Sequence, residues 1–88
     1  MNRRECLDAA AECVLKDRNN EYGGPEQSFS DIAALWSVIL RKPVTMVEVA
    51  LCMDAVKTAR LINNPTHADS WTDKAGYAAC GAEVATGD

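Results

Sequence analysis

The sequence predicts an all-α fold, a four-helix bundle-like domain, and two features point to it. Apolar side chains recur at steps of three and four residues, and no segment alternates as a strand would. Proline and glycine interrupt that periodicity at Tyr22-Gly23-Gly24-Pro25, Arg41-Lys42-Pro43 and Asn63-Asn64-Pro65, leaving four helical segments. Eighty-eight residues suit one domain, spanning 1–88, and are too few for two.

The first helix is expected over residues 2–17. Leu7, Ala10, Ala11, Val14 and Leu15 share a face, and Asn2 with Glu5 has capping-box spacing. The second is expected over 25–40, with Pro25 in its first turn and an apolar stripe of Phe29, Ile32, Leu35, Trp36 and Ile39. The third is expected over 45–63. Thr45 with Glu48 marks its start and Pro65 enforces its end. Its first half is apolar nearly all round, which places it at the centre of the bundle. The fourth is expected over 70–86, with Ser70 and Asp73 at capping-box spacing. Its Gly76 and Gly81 each cost about 1 kcal/mol relative to alanine within a helix. That cost points to close approach of another helix, in the same chain or in a second subunit.

Hydrophobic residues make up 48% of the chain, and fourteen of them are alanines, which add little volume to a core. A homodimer or tetramer is therefore expected. A charged fraction of 25% with net charge −4 excludes a disordered chain. The acidic balance and scattered basic residues argue against direct DNA binding. No apolar stretch follows Arg3-Arg4, so no leader peptide is expected. The longest apolar run contains Glu48 and Asp54 and is too polar to span a membrane. The expected location is the cytoplasm, that of the host cell if the chain is phage-encoded. Cys6, Cys13, Cys52 and Cys80 show no CxxC spacing and are expected to be buried or half-buried thiols.

Three places could carry polar chemistry. Asp54, Lys57, Arg60 and Asn64 form one stripe on the third helix. It is either a solvated face with an Asp54–Lys57 pair or an anion site in which Lys57 and Arg60 meet phosphates. The segment that follows holds His67, Asp69, Trp71 and Asp73. Asp73 either caps its helix or, with Asp69, holds a divalent cation beside a phosphate near His67. Tyr22 sits in a turn-rich loop, where it either completes the loop or contacts a base.

Three motifs run through these residues. The first is Arg18-x3-Tyr22-Gly23-x-Pro25-x3-Phe29-x2-Ile32-Ala33-x-Leu35-Trp36, and the second is Lys57-x2-Arg60-Leu61. The third is His67-x-Asp69-Ser70-Trp71-x-Asp73-x2-Gly76-Tyr77-Ala78-Ala79. Together they resemble a family of short phage and prophage helical proteins of unsettled function. They are also similar to phage nucleotide-modification-associated domains and, distantly, to MazG-like all-α nucleoside triphosphate pyrophosphohydrolases. That resemblance implies a MazG-like, oligomeric fold that binds a nucleotide or nucleoside phosphate. It implies Lys57, Arg60 and His67 on phosphates, Tyr22 and Trp71 on the base, and Asp69 and Asp73 on Mg²⁺. Mg²⁺-dependent hydrolysis of (d)NTPs to monophosphate and pyrophosphate would follow. The E-E-x-x-E element of those hydrolases is absent from the chain, and Asp69 and Asp73 are four residues apart rather than three. No catalytic residue is assigned. The alternative expectation is a non-catalytic phage module that binds and inhibits a host defence protein.

Overall fold

In a computed structural model, residues 1–17 and 24–88 are described. Every element among them is helical: α1 (Arg3–Glu12), α2 (Pro25–Leu40), α3 (Met46–Asn63) and α4 (Ala68–Thr86). One turn of π-helix, Cys13–Asp17, continues α1.

Local chemistry sets most of the helix starts. Asn2 Oδ1 accepts from the Glu5 N–H at 2.8 Å, and Glu5 Oε1 accepts from the Asn2 N–H at 3.0 Å. Thr45 and Glu48 form the same reciprocal box at α3, at 2.9 and 3.1 Å. The bond from the Thr45 N–H, then that to the Thr45 hydroxyl, holds the Glu48 carboxyl below the usual glutamate range, with Lys42 contributing. Pro25 occupies the first position of α2. The helix closes on Arg41 in the left-handed region, φ 58°, whose N–H reaches the Ser37 carbonyl. The Ser37 hydroxyl donates to the Ala33 carbonyl at 2.7 Å and accepts from the Val44 N–H at 2.9 Å. That clasp folds the chain back into α3.

The start of α4 differs from the sequence expectation. The helix begins at Ala68, and its cap residue, His67, makes no side-chain capping bond. Ser70 is fully buried instead of standing outside the helix. The local Ser70–Asp73 box does not form because each side chain has another partner. Ser70 Oγ bonds the His67 ring, and Asp73 reaches across to α3.

The helix at the centre is α4, not α3: α4 packs against α1, α2 and α3. Its small residues explain why. A Cβ at Gly76 would lie 3.0 Å from Val14 Cγ1, and one at Gly81 would lie 3.1 Å from Ala50 Cβ. Both close approaches therefore lie within the chain, against the turn after α1 and against α3. The core gathers Phe29, Ala33, Val49, Ala50 and Cys80, with Trp36, Met53 and Tyr77 packed on it. Phe29 and Tyr77 stack at 6.4 Å between centroids.

The apolar residues of α2 and α3 are only partly used. Phe29 is buried, while Leu35 and Ile39 of the expected stripe are exposed. On α3, Val49 and Ala50 face inward while Val47, Leu51, Val56 and Ile62 stay exposed. Two helices cannot cover a third on every side, and the described chain supplies α3 with neighbours mainly on the α2 and α4 sides. The cysteines also divide. Cys80 is buried, Cys6 is intermediate, and Cys13 and Cys52 are exposed, correcting the expectation of uniformly sheltered thiols. No helix among the described residues is long and apolar enough to cross a membrane.

Candidate functional site

The polar stripe of α3 meets the first turns of α4. Lys57 Nζ lies 2.8 Å from Asp73 Oδ2, with the two side chains 12% and 28% exposed. One turn earlier on α3, Asp54 accepts from Lys74 Nζ at 3.0 and 3.1 Å, and Lys74 also donates to the Thr58 hydroxyl. Two ion pairs of opposite sense therefore cross the same helix interface: a cation of α3 faces an anion of α4, and an anion of α3 faces a cation of α4. The sequence had offered an Asp54–Lys57 pair within one helix. The structure directs each of them to the neighbouring helix.

This geometry sorts the expected site residues. Lys57 and Asp73 come together, on each other. Arg60 is exposed in the last turn of α3, where its charge favours the helix dipole, and it makes no ion pair among the described residues. Asp69 is exposed in the first turn of α4, the favourable end for an anion. His67 Nδ1 and Ser70 Oγ share a 2.7 Å hydrogen bond, and the Ser70 N–H donates to the His67 carbonyl at 3.2 Å. Trp71 is 46% exposed, and its indole N–H donates to the Pro65 carbonyl at 2.9 Å. Tyr22, with Arg18, lies outside the described residues. Among the described residues, no three His, Cys, Asp or Glu side chains gather as a metal-holding group.

Lys74 and Thr58 were missed by sequence reasoning, and Ser70 was read as a helix cap rather than as the partner of His67. A signal for Lys74 existed: Asp54 and Lys57 on α3 mirror Asp73 and Lys74 on α4 in charge order. A groove of about 490 Å³, lined among others by Arg3, Cys6, Pro65 and Trp71, runs between the start of α1 and the α3–α4 turn.

Comparison with known proteins then places the chain. The family model described as "Domain of unknown function (DUF6378)" matches residues 5–85. The chain belongs to the DUF6378 family. Two curated relatives are phage proteins, each named "Gene 55 protein". That of Mycobacterium phage D29 is 42% identical over 74 residues, covering 84% of this chain and 49% of the relative. That of Mycobacterium phage L5 is 36% identical over 73 residues, covering 82% and 47%. This DUF6378 chain thus spans about half the length of the curated relatives it matches. No solved structure matches it. The DUF6378 match takes in both cross-helix ion pairs, from Asp54 to Lys74.

Proposed function

We propose that this DUF6378 domain is a non-catalytic phage module that works by binding another protein, with its buried polar residues serving as frame. One observation carries the reading: Lys57, the best placed phosphate ligand in the sequence, is 12% exposed and already neutralised by Asp73. A phosphate could reach it only by displacing that carboxylate, and Asp73 could take Mg²⁺ only by giving up its lysine. Several large apolar residues are left facing solvent, Leu51 and Ile62 of α3 among them. Exposed apolar surface of that kind serves recognition more readily than phosphate chemistry. The test is capture of a stoichiometric partner from host lysate, repeated with Leu51→Glu. Loss of one defined partner with Leu51→Glu supports the reading. Absence of any stoichiometric partner overturns it.

A second reading, nucleotide binding of the MazG-like kind, draws on the groove beside Trp71. Its volume falls in the usual small-ligand range of roughly 300–1,000 Å³. The indole would stack on a base, Arg3, Arg60 or His67 would meet phosphates, and Asp69 would take part in holding Mg²⁺. Thermal shift with each dNTP, with and without Mg²⁺, separates the two readings. Stabilisation that Trp71→Ala abolishes favours the nucleotide.

A further inference from the structure

Among the described residues the outer face of α2 is unpartnered, and its charges are ordered so that a copy of itself complements them. Leu35, Val38 and Ile39 are 63%, 76% and 73% exposed within little more than one helical turn. Asp31 precedes them, exposed and bonded only to Gln27 at 2.9 Å among its described side-chain contacts. Arg41 and Lys42 follow them, also exposed. The face is thus acidic before its apolar centre and basic after it.

The size of the exposed surface fits a missing partner. The chain exposes 6040 Å². A monomeric protein of its 9.5 kDa mass is expected to expose about 5,000 Å². The excess of about 1,000 Å² is close to the roughly 800 Å² that each partner gives up in a standard interface. The Cα radius of gyration of 13.4 Å likewise exceeds the value of about 12 Å expected for a closed domain of this length.

We propose that α2 pairs antiparallel with α2 of a second copy about a twofold axis between Leu35 and Val38. Placing Leu35 of one copy opposite Val38 of the other sets Ala34 opposite Ile39 and Asp31 opposite Lys42. The same register applies on both sides of the axis, so each apolar contact and each opposite-charge contact occurs twice. A parallel arrangement would set acid against acid and base against base. The interface needs neither Lys57 nor Trp71, so it stands apart from both readings of function.

Sedimentation of the full chain at tens of micromolar tests this pairing, with far-UV circular dichroism to verify folding. The wild type sediments as a dimer. Val38→Glu raises the dimer dissociation constant roughly 30-fold or more at unchanged helicity. Leu51→Glu on α3 leaves dimerisation within about threefold of the wild type. Lys42→Asp weakens the dimer, and adding Asp31→Lys restores it, because the swapped charges attract again. A monomeric wild type overturns the proposal. So does a dimer indifferent to Val38→Glu, one broken by Leu51→Glu, or a charge swap that fails to restore pairing.

Discussion

Asp73→Ala removes the carboxylate opposite an ammonium that is only 12% exposed. An exposed ion pair is worth about 0–1 kcal/mol, while breaking a buried one by removing a single partner costs about 3–5 kcal/mol. Lys57 is close to the buried limit, but Asp73 is 28% exposed and water can reach its side of the pair. The expected cost is therefore about 2–3 kcal/mol. Unfolding entropy of about 2.1 cal/mol/K per residue gives ~0.18 kcal/mol/K for this chain, so the melting temperature should fall by about 11–16 °C. The decisive comparison is a double-mutant cycle. Its corners are the wild type, Lys57→Met, Asp73→Leu and the two together; the double change removes both charges and should return stability to within about 1 kcal/mol of the wild type, because no buried charge is left unpaired. Urea denaturation monitored by circular dichroism supplies all four free energies. If Asp73→Ala costs less than ~0.5 kcal/mol and the two single changes simply add, Lys57 is not held by Asp73. The account of the polar stripe then fails.

Other substitutions probe the frame. Phe29→Ala empties the fully buried ring site stacked on Tyr77 and should cost about 3–5 kcal/mol in denaturant titration. Gly81→Leu drives a side chain into Ala50 Cβ, which has no rotamer in which to yield, and should cost about 1–3 kcal/mol by the same measurement. The Glu48 carboxyl is held below its ordinary value in the folded chain, so its share of stability is complete above the unfolded glutamate value. That share disappears as pH falls through the lower folded value. The stability gap between wild type and Glu48→Ala should therefore close on acidification, and thermal melts across the acid range read it. A thiol reagent should modify Cys52 in the folded protein and Cys80 only as the chain unfolds, as peptide mass mapping over time would reveal.

Features of the fold written over three or four residues were legible in the sequence. Asn2 with Glu5, Thr45 with Glu48 and Pro25 each use local bonds or a fixed φ, so spacing alone announces them. Gly76 and Gly81 announced close packing but not its partner, which proved to be Val14 and Ala50 of the same chain. Ser70 with Asp73 misled because capping-box spacing records what a carboxylate can reach locally, and a lysine on a neighbouring helix outcompeted it. The candidate site was less legible for the same reason. Lys57 reads identically in sequence whether it awaits a phosphate or faces Asp73, and that choice depends on how α3 and α4 are rotated against each other. Periodicity likewise marked Leu35, Ile39 and Leu51 as apolar without saying whether the cover comes from this chain or another molecule.

The most direct measurement is pyrophosphate release from each dNTP in the presence of Mg²⁺. A binding module whose lysine is neutralised by its own aspartate predicts no release above the buffer rate. Turnover that disappears in both Asp69→Asn and Asp73→Asn, with helicity retained, would contradict that account and make the ion pair part of an active site.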